Sequence, residues 1–426
     1  MAVDLERLAE DALAALKAAG FEHAQVSASV SELDELNINH NEPSLLRSTE
    51  DHSLSLMGII DGRKASTALT DLSEDAIAQG VASLLDRARL APQDDANAVS
   101  ENQQGHFEQG PATPDGDLMA ARVSELLEFR KRETPKMQIE EGGASHRFSK
   151  GILLTTGGTR LTRAIGCYSL SVMGTAIEGD RSSSFNYTGG VTNDLSQGHA
   201  STLFGIGDML RETERQIETS SFDGNFRGDI ILAPTAVGDL LGWLMGQLQD
   251  MALISDNSIY RDKVGEMIAS QLLTLKSRFD APGHAAYTAD GFVTPPLTLV
   301  DQGRLTCLIP GLYGSRKTGI EHRPTTSGWV VEPGKTPKSE LIAGIDKGAM
   351  VNRLSMGSPG ANGDFSGVIK NSFKIEGGRL GAALTETMIA GNMADMLMDI
   401  VAVSSEHLDL GGENFPWIRI NNLNFS

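Results

Sequence analysis

The chain has 426 residues, 40% hydrophobic and 22% charged, values near the average for soluble globular proteins, so neither a disordered nor a fibrous class fits. Its formal charge of -20 repels phosphate backbones and no basic patch offsets that field, which argues against direct nucleic-acid binding. At roughly 100–200 residues per domain, two or three units are expected.

Leu5, Leu8, Ala12, Ala15 and Ala19 recur at helical spacing, with Gly20 placed as a left-handed C-terminal cap. Val26, Ala28 and Val30 then alternate as a strand, and residues 53–60, Asp61-Gly62 and residues 64–70 predict a hairpin closed by a tight turn. Ser73 is an expected N-cap, because Glu74 and Asp75 follow in the first turn and Ile77, Val81, Leu84, Leu85 and Ala88 line one face. Residues 91–117 are polar, rich in Gln, Asn, Asp, Gly and Pro, and lack periodicity, which predicts a long surface connection inside a domain or at a boundary. Helical spacing resumes over 118–133, where Arg130, Lys131 and Arg132 precede Glu133 and read as a solvated face. From Met137 to about Gly190, short alternating segments broken at Gly142-Gly143, Gly157-Gly158 and Gly189-Gly190 predict antiparallel sheet.

The second half opens with a predicted strand over 228–233 running into Pro234, which suits the first position of a helix because that N–H has no helical partner. Val237, Leu240, Leu241, Leu244, Met245 and Leu248 then repeat at helical spacing and predict a largely buried helix. Beyond Leu272 strand and loop dominate. One hairpin is expected from 297–300, Asp301-Gln302-Gly303 and 304–309, and another from 367–375, Glu376-Gly377-Gly378 and 379–385. A helix from about Ala390 to Val401 follows, and the chain has no short-period repeat or low-complexity tract.

Two cysteines, Cys167 and Cys307, give no disulfide framework and fit a reducing compartment. The acidic start Met1-Ala2-Val3-Asp4-Leu5-Glu6 does not resemble a signal peptide, and no apolar run approaches the roughly 20 residues of a membrane helix, so a cytoplasmic protein is expected.

A zinc hydrolase needs imidazoles converging on one metal, which sequence motifs achieve by placing two histidines within about a turn of helix. The histidines here are His23, His40, His52, His106, His146, His199, His284, His322 and His407, and the closest two are twelve residues apart. They read as surface or satisfied core residues. No Gly-x-Ser-x-Gly elbow occurs, and neither cysteine has neighbours that would lower its pKa; Cys307 lies in a predicted hairpin strand as a small hydrophobe. Residues 311–318 imitate a phosphate loop, but Arg316 stands where glycine must precede the lysine. Gly205-Ile206-Gly207 lacks the third glycine of a dinucleotide loop, with Leu210 in its place. The adjacent pairs Glu140-Glu141 and Asp94-Asp95 point in different directions and read as solvated surface.

Six runs taken in order carry a resemblance over nearly the whole chain: residues 58–63 (GIIDGR), 70–73 (TDLS), 263–270 (KVGEMIAS), 272–275 (LLTL), 290–295 (DGFVTP) and 386–393 (ETMIAGNM). On these the chain resembles the TldD/PmbA family, once described as modulators of DNA gyrase and now associated with zinc-dependent peptidases. In the family's zinc-bearing branch a strand leads into a helix carrying His-Glu-x-x-x-His, and a cysteine near the C-terminus completes the metal site. Here the frame Ala236-Val237-Gly238 is kept, but Pro234 and Asp239 stand at the histidine positions, Thr235 stands at the glutamate, and no cysteine follows Cys307. Loss of the ligands and the base removes both the Lewis acid and the proton acceptor.

The resemblance therefore implies the PmbA branch, also called TldE: a metal-free subunit with no catalytic residues, no metal ligands and no cofactor of its own. Zinc would come from a TldD-like partner, and the complex would act on extended or unfolded peptides. Such a subunit can wall off a cavity and offer sheet edges to an extended chain. Two other readings stay open, an independent hydrolase with a non-zinc site and a regulatory protein-binding module, as does a homodimer when the chain is alone. The expected fold is α+β, with a smaller N-terminal α/β domain and a larger strand-rich C-terminal domain containing the buried helix. The expected division is 1–117, 118–225 and 226–426.

Overall fold

The computed structural model describes residues 4–325, 328–355, 357–385 and 387–426, so Met1–Val3 and Glu386, which entered the sequence reading, lie outside the described residues. Helix α1 (Leu5–Ala18) starts where the Asp4 carboxylate accepts from the Arg7 N–H. It ends at Gly20, whose φ of 97° lets the Phe21 N–H turn back to the Leu16 carbonyl. Strands β1 (His23–Asn39), β2 (Glu42–Ile60) and β3 (Arg63–Leu69) follow. Asp61 and Gly62, at φ 50° and 68°, make the tight turn that joins β2 to β3, as expected for a twisted ribbon. Ser73 caps α2 (Glu74–Leu90) by accepting from the Ala76 N–H, also as expected.

Beyond α2 come β4 (Gln104–Gln109), α3 (Gly116–Glu133), β5 (Met137–Thr155), β6 (Arg160–Glu178), β7 (Arg181–Ser182), β8 (Asn186–Thr192), α4 (Ile206–Arg215) and β9 (Thr219–Ser220). The first sheet runs β3-β2-β1-β5-β6-β4, with β7 and β8 added along β6. Two corrections arise here. The polar stretch 91–117 is not simply a surface connection: β4 pairs in parallel with β6, and Ala96, Val99 and Ser100 are buried. At this sheet edge β4 exposes alternate residues and half-buries the others, so it carries no apolar stripe to be read. Nor do Gly142 and Gly143 break the sheet, for they sit inside the 19-residue strand β5. A Cβ at Gly143 would stand 2.3 Å from the Leu36 carbonyl oxygen and one at Gly142 2.7 Å from that of Ser171, so these glycines admit close strands on both sides. Pairing of β1 with β5 puts the expected 1–117 and 118–225 segments in one sheet.

The second sheet begins with β10 (Phe226–Leu232), which leads into α5 (Pro234–Leu248), and α6 (Asp250–Ile254) follows. Then come β11 (Leu275–Ser277), β12 (Thr298–Asp301), β13 (Arg304–Leu305), α7 (Leu312–Thr318), β14 (Trp329–Val331), α8 (Lys338–Ala343), β15 (Lys347–Val351) and β16 (Arg353–Ser355). The chain closes with β17 (Asp364–Lys370), β18 (Phe373–Glu376), β19 (Arg379–Leu384), β20 (Thr387–Asn392), α9 (Met393–Met398), β21 (Ile400–Asp409) and β22 (Glu413–Phe425). The main path is β13-β12-β11-β14-β22-β10-β15-β18-β19-β9, and β17, β20 and β21 join through β22.

Three expected elements differ. Strand β13 stops at Leu305, so Cys307 lies beyond it, half-buried. The Gly377-Gly378 turn forms, yet it joins only β18 to β19, because Asn371 at φ 52° ends β17 and sends residues 364–369 to pair with β20. The last helix is confined to Met393–Met398, since Thr387–Asn392 is strand and the Asn392 side chain fixes the start by accepting from the Ala394 and Asp395 N–H groups. With 24% helix and 43% strand in two sheets, the fold is α+β.

The core is anchored by α5, whose Ala236, Val237, Leu240, Leu241, Leu244 and Leu248 are all buried. They pack with Ile230, Leu275, Val331, Phe415 and Ile418 in the largest apolar cluster. Each fully buried leucine contributes about 1.5–3 kcal/mol relative to exposure, which explains a helix whose exposed strip is as narrow as Thr235, Asp239, Gly242 and Gly246. Among the described residues no helix is long and apolar enough to cross a membrane.

Candidate functional site

Helix α4 hangs from the first sheet but is held to the second. The Arg215 guanidinium donates to the Gly381 carbonyl at 2.7 Å and stacks 4.3 Å from the centre of the Phe373 ring. Between α4 and the N-terminal end of α5 lies a cleft of about 110 Å³. Asn186, Tyr187 and Thr188 of β8 line one wall, Asp208, Met209 and Glu212 of α4 another, and Ala233, Pro234 and Thr235 the floor. Lys338, Asn352, Arg353 and Trp417 close it from the second sheet.

Glu212 is a half-buried acid of this cleft. Asn352 donates to its carboxylate at 2.6 Å, but loss of hydration outweighs that bond and the attraction of Lys338, and the carboxyl is pushed above the ordinary range. The cations are held by rings. Lys338 Nζ lies 4.1 Å from the centre of the Trp417 ring, and the Arg353 guanidinium carbon lies 4.6 Å from that of Phe185 and 5.9 Å from that of Tyr187. At the floor, Ala233 offers no capping side chain, so the first-turn N–H groups of α5 after Pro234 have no side-chain acceptor.

Two of the three positions singled out by sequence border this cleft. Pro234 and Thr235 line it, Pro234 buried and Thr235 exposed. Asp239, one turn further along α5, does not line it. Desolvation pushes the Asp239 carboxyl up to about 6, with the Leu354 backbone bond pulling the other way and Glu413 adding repulsion. Burial raises Glu413 as well. A zinc ion does not fit this set: Pro234 has no free donor atom, and among the described residues no three His, Cys, Asp or Glu side chains gather as a metal site. None of the histidines lines the cleft.

The other sequence candidates are accounted for structurally. Residues 312–318 are helix α7, and the N–H groups of Gly311 and Gly314, which a phosphate would need, are taken by the Asp250 carboxylate at 2.7 and 3.1 Å. Lys317 is paired with Asp94 at 2.8 Å. Gly205, at φ 69°, turns the chain into α4. Burial raises both the Cys167 and Cys307 thiols, the opposite of what a nucleophile needs. Sequence reading missed Glu212, Lys338, Asn352, Arg353 and Trp417. No local motif marks them, and only the meeting of the two sheets brings them together.

Residues 225–426 match the family described as the PmbA/TldA metallopeptidase C-terminal domain. Metalloprotease PmbA of Escherichia coli O157:H7 is 25% identical over 411 residues, covering 90% of this chain and 87% of that protein. The metalloprotease PmbA homolog of Haemophilus influenzae is 22% identical over 379 residues, 84% of this chain and 82% of that one. In fold, the chain is similar to the crystal structure of TldE from Thermococcus kodakarensis, with a TM-score of 0.82 and 18% identity over 98% of this chain and 100% of that one. The two-sheet fold and the C-terminal domain thus define an α+β protein of a metallopeptidase-like group. Its C-terminal half carries the domain of the PmbA/TldD family, and over most of its length the chain is similar in sequence to PmbA and in fold to TldE.

Proposed function

We propose that this chain is the non-catalytic, metal-free subunit of a TldD/TldE-type heteromeric zinc peptidase that processes extended or unfolded peptides in the cytoplasm. The observation that carries the reading is the start of α5, where Pro234, Thr235 and Asp239 stand in place of the donors and base of the zinc-bearing branch. The zinc and the activated water would belong to a TldD-like partner, and the contribution of this chain would be to shape and restrict the path to them. Its cleft supports that role, being lined by β8, which pairs with β6, and by aromatic and cationic side chains suited to an extended peptide.

Metal analysis of the purified chain alone and after co-expression with a zinc-bearing relative tests the proposal. Stoichiometric zinc is expected only in the mixed complex, together with peptidase activity. Tightly held zinc in the chain by itself would end the accessory reading. A second reading, an independent hydrolase with a non-zinc site, is favoured by the half-buried Glu212, whose carboxyl desolvation raises in the direction that suits a proton donor. It predicts chelator-insensitive hydrolysis by the isolated chain, abolished in Glu212→Gln.

A further inference from the structure

The cleft carries a charge pattern at odds with the rest of this acidic protein. Lys338 and Arg353 both face it and each is held against an aromatic ring; among the described residues neither has a carboxylate within 4 Å, though Glu212 and Glu406 attract Lys338 and Asp239 attracts Arg353. Two acids also line the cleft. Asp208 is engaged outside it by Arg211 at 3.2 Å, and Glu212 is bonded to Asn352 at 2.6 Å. Burial raises the Glu212 carboxyl above its ordinary range, with Lys338 pulling the other way. The uncapped N–H groups at the start of α5 add partial positive charge to the floor. Met209, Phe204 and Leu408 supply an apolar lining next to these donors.

The geometry points to a pocket for the C-terminal carboxylate of a peptide, held between Arg353 and Lys338 over the start of α5, with the last apolar side chain against Phe204 and Met209. A guanidinium, an ammonium and uncapped backbone N–H groups lining one small cleft match a carboxylate, and an apolar lining beside them matches a peptide end better than a free ion. The choice of a peptide rests on the functional reading above, whereas binding of a carboxylate by this chain does not. The pocket gives the accessory subunit a means of fixing one end of a flexible chain.

The test is binding of an N-terminally labelled, apolar pentapeptide to the full chain without any partner, followed by fluorescence anisotropy. Three forms are compared: the free acid, the C-terminal amide, and an amide carrying one glutamate side chain. The free acid is expected to bind at least about tenfold more tightly than the simple amide, as one charge-assisted contact implies. The glutamate amide should bind no better than the simple amide; if it matches the acid, the pocket takes any carboxylate and the assignment to the chain end is overturned. Arg353→Gln and Lys338→Gln, checked for unchanged melting temperature, should each weaken the acid and leave the amide unaffected. Equal binding of acid and amide by the unaltered chain, or no binding of either, overturns the proposal without recourse to a variant. Failure here leaves co-assembly with a zinc subunit intact, and failure of co-assembly leaves the acid preference standing, so the two outcomes are distinguishable.

Discussion

Asn352, just past the end of β15, donates its side-chain N–H to the Glu212 carboxylate of α4 at 2.6 Å, a bond that spans the two sheets at the wall of the cleft. Removing the donor leaves a half-buried acceptor without its partner, which costs about 1 kcal/mol, the low end of the range for a buried group. Asn352→Ala is therefore expected to lower stability by that amount in equilibrium urea unfolding. A neutral result would mean that water replaces the bond at no cost.

The same carboxyl sets a pH dependence. Burial raises the folded-state pKa of Glu212 above its ordinary value of 4.5. Below 4.5 the group is protonated in both folded and unfolded chains and contributes no difference between them. As pH rises through the folded value, the unfolded chain releases the proton first and stability falls. Glu212→Gln removes this loss, so its melting temperature relative to the parent should climb as pH is raised from about 4.5. An offset that stays constant over this range would exclude a shifted Glu212.

Asp250 closes the N-terminal end of α7 by accepting from Gly311 and Gly314. Loss of a capping carboxylate costs about 0.5–2 kcal/mol. Asp250→Ala should show that loss in unfolding and faster amide exchange at Gly311 and Gly314. Exchange unchanged from the parent would show that α7 is held by other contacts.

Asp94, in the loop after α2, ties that loop to α7, accepting from the Tyr313 hydroxyl at 2.7 Å and pairing with Lys317 at 2.8 Å. The Lys317 contact, with help from the Ala96 N–H and Tyr313, holds its carboxyl down to about 2. A depressed folded value stabilises the fold above the ordinary value of 3.8, and that contribution disappears as pH falls through about 2. Asp94→Asn is expected to lower the melting temperature at neutral pH, with the gap to the parent closing in strong acid. A gap independent of pH would point to packing, not charge.

Local chemistry sufficed for much of the fold. The hairpin at Asp61-Gly62, the Ser73 cap and the buried helix after Pro234 all appear where spacing and turn residues place them, because each depends on neighbours within a few residues. Strand β4 was illegible for the converse reason: an edge strand with one pairing neighbour needs no apolar stripe. The start of α5 at Pro234 was likewise visible, because a proline without an N–H suits the first helical position.

What surrounds that helix end was decided only in three dimensions. Glu212 reads locally as one more acid on an amphipathic helix, and Lys338 and Arg353 as ordinary surface cations. Their partial burial, the ring each cation rests on and the carboxyl raised by desolvation arise because strands and helices distant in sequence enclose one small volume. Hydrophobic periodicity specifies which face of an element is buried, but not which other element buries it, and the electrostatics of a cleft belong to that second question.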